Sequence, residues 1–235
     1  MLLLVAGQAR ADSLLERAEY FLLNRHLSHS YLDSCRHSLD LARPALKNTE
    51  AFREMRVRYC VQRGDDTAGT GPKMYWFRQA QAEARELLAQ NPRSAAGHLW
   101  YGTVLVRYSQ VQGIAASAPQ LPEIRRQFET ALRCDSNYAL AWYALGRFFH
   151  EVPRFVGGSL SRAESCYVRG LQCDPHLTLL RASYAQLLAA TKRKSAALAQ
   201  ARAVLSEKAP SNPGEHRLYD VPRTQALIRQ LGGRR

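Results

Sequence analysis

Several short segments of this sequence combine residue types that could carry out chemistry, and the first of them is rich in glycine. Gly64 to Lys73 (GDDTAGTGPK) has the glycine content of a phosphate-binding loop. It lacks the Gly-Lys-Ser/Thr ending of such loops, and it follows a predicted helix rather than a strand, so its N–H groups would not converge on a phosphate. We therefore expect this segment to be a loop between two helices.

A second segment contains residue types that bind metal ions. These residues are His26, His29, Cys35 and His37. Their spacing fits no zinc motif, and a turn near His29 would separate the first two residues from the others. We expect these polar side chains to flank a turn between two helices rather than to converge on a metal.

A third segment, Gly157 to Ser159, precedes a predicted helix whose N-terminus could hold an anion. Glycines that shape a turn, followed by Ser159 or Ser161 as a helix cap, account for the same pattern. The sequence contains no G-x-S-x-G, H-E-x-x-H or C-x-x-C motif, and its potential acids, bases and nucleophiles are scattered. We therefore expect no catalysis, no cofactor and no bound metal.

A regular stripe of apolar residues identifies the elements that would position any site. Four residues lie at i, i+3, i+4 and i+7, on one face of an α-helix: Trp142, Leu145, Gly146 and Phe149. A matching stripe on the next helix consists of Ala163, Tyr167 and Gly170. Because Gly146 has no side chain, the second helix can approach it closely. Asp174 stands before Pro175, which disfavours the α conformation and ends the pair.

The same register extends in both directions and predicts the fold. We expect an all-α protein, a right-handed solenoid of about five divergent helix hairpins of the tetratricopeptide type with a short C-terminal helix from Thr224 to Leu231. In the second hairpin, Cys60 would take the small position at the helix crossing. Residues 12–232 form a single domain in this interpretation, because one hairpin cannot bury its apolar faces without neighbours.

The composition is strongly basic, with a formal net charge of +13. Such a charge suits an acidic partner or a nucleic acid. The positive residues are dispersed, as on the solvated faces of helices, and no arginine ladder alternates with aromatic residues. We therefore expect a protein partner and no nucleic acid.

The first residues and the cysteines bear on the compartment. Residues 1–11 contain an apolar run followed by Ala9-Arg10-Ala11, which is typical of a truncated signal peptide, the alternative being an apolar tip of the first helix. No other stretch is long and apolar enough to span a membrane. Among the cysteines, Cys35 and Cys60 could form a disulfide, while Cys134 and Cys173 are expected to be buried.

Candidate binding residues come from the first helix of each hairpin, because that helix typically faces the concave side of such solenoids. They are Tyr143, Arg147 and His150 in the best-matched hairpin, Thr103 and Arg107 in the hairpin before it, and Gln186 in the hairpin after it. An aromatic residue, an arginine and a histidine on one stripe suit a peptide, a carboxylate or a small organic anion. Packing of Tyr143 against a neighbouring hairpin is the alternative.

Between Ala95 and Leu231 the sequence resembles two families. Segments that resemble T-components of tripartite ATP-independent periplasmic transporters are Glu151-Val152-Pro153, Phe155 to Ser159 (FVGGS), Cys173-Asp174-Pro175 and Tyr219 to Leu231. Leu145-Gly146-Arg147, taken with Glu151-Val152-Pro153, is also similar to the helix-pair proteins called regulators of microtubule dynamics.

The first resemblance implies a periplasmic, often lipid-anchored and non-enzymatic protein that associates with a solute-binding partner. The sequence departs from that family because it has no lipobox cysteine near its start. We therefore expect a periplasmic binding or scaffold protein, able to form oligomers, that holds a protein segment or a small ligand in a helical groove, as an accessory to a solute transporter. The alternative is a cytoplasmic, basic helical-repeat protein that binds an acidic partner or a nucleic acid.

Overall fold

The computed structural model describes residues 2–113 and 118–232, and all regular elements in these ranges are helical. The helices are α1 (Leu2–Leu23), α2 (Tyr31–Leu46), α3 (Glu50–Asp66), α4 (Thr70–Gln90), α5 (Ala95–Gln112), α6 (Leu121–Cys134), α7 (Ala139–Glu151), α8 (Leu160–Cys173), α9 (Thr178–Ala190), α10 (Lys194–Ser206) and α11 (Val221–Gly232). A single helical turn, Pro213–Glu215, and a π-helical turn, His216–Asp220, lead into α11. The predicted all-α class is confirmed.

Consecutive helices pack as antiparallel hairpins, in the order α1 with α2, α3 with α4, α5 with α6, α7 with α8, and α9 with α10. The last helix, α11, packs on α10 and α9. The described chain therefore has the five predicted hairpins and the predicted C-terminal helix, which begins three residues earlier than expected. The chain divides into two compact units: the first unit ends at Cys134 and contains α1 to α6, and the second unit begins at Asp135 and contains α7 to α11.

Three hairpins are closed by the same contact, in which an aromatic ring of the second helix lies against a glycine of the first. The pairs are Gly64 with Phe77, Gly102 with Phe128, and Gly146 with Tyr167. A Cβ atom added to these glycines would stand 2.4, 2.7 and 2.6 Å from the nearest ring carbon, closer than any real Cβ contact. The predicted role of Gly146 is thus confirmed, and that of Cys60 is wrong, because Gly64 is the residue under the ring.

The glycine-rich segment Gly64 to Lys73 is mostly helical, so its prediction as a loop is wrong in extent. Helix α3 continues to Asp66 because Gly64 is part of its packing face, and α4 already begins at Thr70. Gly69, with φ of +84°, supplies the left-handed turn between the two helices.

Hydroxyl side chains cap the N-termini of several helices, where each accepts a hydrogen bond from a backbone N–H group. The Oγ1 atom of Thr49 accepts from the N–H of Phe52 at 3.3 Å, and Ser94 Oγ accepts from the N–H of Gly97 at 2.9 Å. Ser159 caps α8 in the same way, as predicted. The turn before it needs Gly158, since a Cβ there would overlap the carbonyl oxygen of Val152.

The structure also shows where the potential metal ligands and the cysteines lie. In the described ranges, no three His, Cys, Asp or Glu side chains converge as metal ligands. Cys35 and Cys60 are buried free thiols, and burial raises the pKa of each to about 12. Cys134 is half-buried and Cys173 is exposed, so the expected burial of Cys173 is wrong. Its helix ends there, and its Sγ atom lies at the surface.

The first helix includes the segment that the sequence analysis compared with a signal peptide, since α1 runs from Leu2 to Leu23 and its Ala11 is buried. Across the described residues, no helix combines the length and the apolar character that a membrane-spanning segment needs.

Candidate functional site

Helix α7 in the second unit carries three of the predicted binding residues. Its buried stripe, with Leu145 at 5% exposure and Phe149 at 1%, fixes the rotation of the helix against α8. Tyr143 and Arg147 are one turn apart on another side of α7 and are half-buried. The core packing of α7 therefore sets the direction of both side chains.

Arg147 is held by side chains of its own helix. Its Nη1 atom donates a hydrogen bond to the hydroxyl oxygen of Tyr143 at 3.0 Å, and the guanidinium lies 5.8 Å from the centre of the Tyr143 ring. Its Nη2 atom forms an ion pair with the carboxylate of Glu151, one turn further along. The side chain of Arg147 remains 30% exposed and that of Glu151 51% exposed.

His150 lies behind this cluster, towards α8. Its Nδ1 atom is 3.3 Å from the hydroxyl oxygen of Tyr167, and the two rings meet edge to face with centres 6.2 Å apart. Tyr167 is fully buried and is the ring that covers Gly146. His150 is on the same helix as Arg147 and therefore links α7 to the buried Tyr167 of α8.

The charge states of these groups follow from their surroundings. Burial opposes the charge of Arg147, but Tyr143 and Glu151 outweigh it, and the pKa of the guanidinium is raised. Burial lowers the pKa of His150, and the neighbouring Arg147 lowers it further against the opposite effect of Glu151. Burial raises the pKa of Tyr167. At neutral pH Arg147 is therefore a cation, and the rings of His150 and Tyr167 are uncharged.

The predicted residues of the first unit, Thr103 and Arg107, are already engaged. The Thr103 hydroxyl donates to the carbonyl oxygen of Leu99 at 2.9 Å, which is a bond within α5. Arg107 Nε lies 2.8 Å from one carboxylate oxygen of Asp65 and 3.0 Å from the other, so its guanidinium joins α5 to α3. Both residues lie on the first helix of their hairpin, as predicted, but these partners were not predicted.

Gln186 lies half-buried on α9, in the second unit. Ala185 precedes it as Gly146 precedes Arg147, so the two residues occupy equivalent repeat positions. Helix α9 packs against α7 and α8. The second unit thus contains four of the six predicted residues, on two first helices that touch.

Two acidic residues were missed as parts of these clusters, and one of them, Glu151, had a signal in the sequence. Glu151 follows Arg147 by four residues, the spacing of side chains that meet on a helix surface. Asp65 follows Gly64 by one residue and Arg107 follows Gly102 by five residues, so an alignment on the glycines does not place the two side by side.

Comparisons with known proteins bear on the family and on the fold. The family model described as "Regulator of microtubule dynamics protein 1-3" matches residues 23–155, more than half of the chain. Among solved structures, the thermophilic tetratricopeptide protein TTC0263 of Thermus thermophilus is 17% identical, with a TM-score of 0.68, and the alignment covers 93% of this chain and 98% of that chain. This likeness shows the tetratricopeptide-type solenoid fold.

Two other solved structures are more distant, and their TM-scores are too low to carry an argument. YrrB, described as a protein with an unusual peptide-binding site, is 14% identical with a TM-score of 0.45, covering 83% of this chain and 87% of its own. MamA from Desulfovibrio magneticus RS-1 is 13% identical with a TM-score of 0.45, covering 91% and 96%. No curated protein matches the sequence.

Proposed function

Because this chain belongs to the family of regulators of microtubule dynamics 1-3 and has a tetratricopeptide-type fold, we propose that it is a non-enzymatic interaction protein. Its function is to bind a segment of a partner protein along α7, with Tyr143 and Arg147 as the principal contacts. Thr103, Arg107, His150 and Gln186 were predicted from the inward positions of first helices and have secondary roles in this proposal. The partners of Thr103, Arg107 and His150 also make those three residues partly structural.

The observation that carries the proposal is the arrangement of Arg147 on Tyr143. A guanidinium that is hydrogen-bonded to a neighbouring hydroxyl and lies near its ring is pre-organised, so less side-chain entropy is lost when it binds. Arginine and tyrosine are also among the residue types most enriched at the energetically important positions of protein interfaces. The pair is partly exposed, while the helix beneath it is anchored in the core through Leu145 and Phe149.

A photo-crosslinking experiment tests the proposal. Tyr143 is replaced by the photoreactive residue p-benzoylphenylalanine in the full chain, and crosslinked partners are identified by mass spectrometry. The control places the same residue at Tyr75, which is 55% exposed on the second helix α4. We expect a defined partner segment to crosslink from position 143, with Arg147→Gln reducing its yield. Equal crosslinks from both positions, or none from 143 while the fold is retained, would refute the proposed site.

The net charge of +13 favours a second candidate, binding of an acidic partner or a nucleic acid. Binding of that kind weakens steeply as salt rises, because each neutralised phosphate releases counterions. Fluorescence anisotropy with a labelled single-stranded and a labelled double-stranded DNA at low ionic strength tests the nucleic-acid form of this candidate, and no change in anisotropy removes DNA as the ligand.

The finer assignments rest on sequence resemblance and remain predictions within this proposal. They are a periplasmic location and an association with the solute-binding protein of a transporter, with a cytoplasmic location as the alternative. The family description instead names microtubule dynamics. Co-sedimentation with polymerised tubulin, compared between the unmodified chain and Arg147→Gln, tests that partner directly.

A further inference from the structure

The ion pair between Arg147 and Glu151 differs from pairs that hold helices together. Arg53 and Glu83, for example, join α3 to α4 at 3.1 Å with only 15% and 18% of their side chains exposed. The carboxylate of Glu151 comes instead from the same helix as Arg147 and is 51% exposed. Separating Arg147 from Glu151 therefore breaks no contact between helices.

The position of Glu151 makes its hold on Arg147 weak. Glu151 is the last residue of α7, where the partial negative charge of the helix terminus repels a carboxylate. The order of the pair, with the cation N-terminal to the acid, is also the less favourable one on a helix. An exposed i,i+4 pair changes an equilibrium by only about twofold.

Arg147 itself stays in place when Glu151 leaves. Its Nη1 bond to the Tyr143 hydroxyl and its contact with the Tyr143 ring are independent of Glu151. Its Nε atom is buried and has no hydrogen-bond partner within the described part of the chain, so the donors that a ligand could reach are those of the Nη atoms. A carboxylate is the acceptor that matches the planar guanidinium best, because it can accept two parallel bonds.

We propose that the ligand of α7 carries a carboxylate that takes over the Nη2 contact of Arg147 from Glu151, so that Glu151 competes with the ligand and limits its affinity. This inference rests on the binding role proposed above and adds the chemical class of the ligand. The ligand is a peptide segment with a C-terminal or side-chain carboxylate. Glu151 serves as the internal substitute for that group in the free protein.

The test uses N-acetyl-tetra-alanine with a free C-terminal carboxylate as the probe and the C-terminally amidated peptide as its uncharged counterpart. Binding to the full chain is followed by NMR through the side-chain Nε–H signal of Arg147 and the backbone amides of α7. Glu151→Gln removes the competing charge. Glu129→Gln is the matched control, because Glu129 forms the same i,i+4 pair with Arg125 at 2.8 Å in the first unit.

We expect Glu151→Gln to bind the acidic peptide about twofold more tightly than the unmodified chain. Glu129→Gln should bind like the unmodified chain, and the amidated peptide should leave α7 unperturbed. Arg147→Gln should abolish the carboxylate-dependent shifts, while Arg147→Lys, which keeps the charge, should retain part of them. Thermal unfolding of each variant checks that the fold persists.

Three results would overturn the inference. These are unchanged or weaker binding in Glu151→Gln, equal binding of the acidic and amidated peptides, and the absence of any α7 shift with the acidic peptide. None of them decides the proposed function, which depends on crosslinking from position 143. If a partner crosslinks at that position but Glu151→Gln does not bind the acidic peptide more tightly, the proposed binding site stands and the competition by Glu151 is refuted.

Discussion

Arg107 in the first unit and Arg147 in the second unit look alike in sequence and differ in structure. Both lie on the first helix of a hairpin, and both side chains are 30% exposed. Arg107 is bonded to Asp65 of another helix, whereas Arg147 is bonded to Tyr143 and Glu151 of its own helix. Exposure and a place on a first helix are therefore shared by two arginines with different partners. In our proposal, the helix that supplies the partner decides whether the arginine can bind a ligand.

The two regions share their packing, so the largest expected effect is common to both. Gly146→Ala and Gly102→Ala each place a methyl group within 3 Å of an aromatic ring. We expect either substitution to lower the free energy of unfolding by about 1–3 kcal/mol, because the ring is buried and has little room to move. Urea unfolding followed by circular dichroism measures this.

Gly71→Ala is the matched control for the glycine substitutions, since no atom lies within 4 Å of its added Cβ. It should raise the free energy of unfolding by up to about 1 kcal/mol, because alanine favours a helix more than glycine does. Equal effects at Gly71 and Gly146 would mean that helix propensity, rather than the ring contact, governs both positions.

Substitution of the two arginines should affect the affinity for the partner differently. Arg147→Gln is expected to weaken the interaction with the partner crosslinked from position 143 by at least about tenfold, the loss typical of a charged hydrogen bond. Arg107→Gln should change it by less than about twofold, because its guanidinium is committed to Asp65. Titration of the isolated partner by isothermal calorimetry gives both values. A larger loss in Arg107→Gln would reverse the assignment.

The stability of the fold should depend more on the ion pair of Arg107 than on that of Arg147. A double-mutant cycle with Arg107→Gln and Asp65→Asn should give a coupling free energy of about 0.5–1 kcal/mol, since the pair joins two helices and is partly shielded from solvent. The cycle with Arg147→Gln and Glu151→Gln should give less than about 0.5 kcal/mol. Equal coupling energies would remove the basis for treating the Arg147 pair as exchangeable.

The smallest expected effect is a pH dependence in the second unit. The pKa of His150 is lowered by burial from its ordinary value of 6.5. Between that value and the lower pKa in the folded protein, the unfolded chain binds more protons, so stability falls as the pH is lowered through this range. His150→Gln should reduce the loss of stability between pH 7 and pH 5.

Two carboxylates serve as the control for the pH experiment, because their contributions to the stability of the fold are lost at a lower pH. Hydrogen bonds from Arg126 and Arg193 lower the pKa of Glu123 and Glu164 below 4.5, so their contribution is lost only as the pH falls below that value. A pH dependence between 7 and 5 that is unchanged in His150→Gln would exclude His150 as its source.

The hairpins were predictable from the sequence because the spacing of small and large apolar residues is a local property of each helix. Gly146 and Tyr167 could be paired for this reason. Gly64 was missed because the acidic and glycine-rich residues after it look like a loop, whereas contact with the Phe77 ring keeps α3 helical to Asp66. Tertiary packing here outweighs local propensity.

The candidate site was predictable only as a set of positions. The repeat register placed Arg107 and Arg147 on first helices, but it does not contain the distance between one helix and the next. The bond from Arg107 to Asp65 depends on that distance, so it could not be deduced from the stripe of a single helix. The contact of Arg147 with Glu151 is local and was available in the spacing.

The buried thiols allow the opening of each unit to be timed separately. Cys35 and Cys60 are enclosed in the first unit and Cys166 in the second, while Cys173 faces solvent. An alkylating reagent should therefore consume Cys173 at once and reach the other three only when their unit opens. The order in which Cys35 and Cys166 become labelled would tell which half of the chain opens more readily, and whether an occupied α7 slows one half alone.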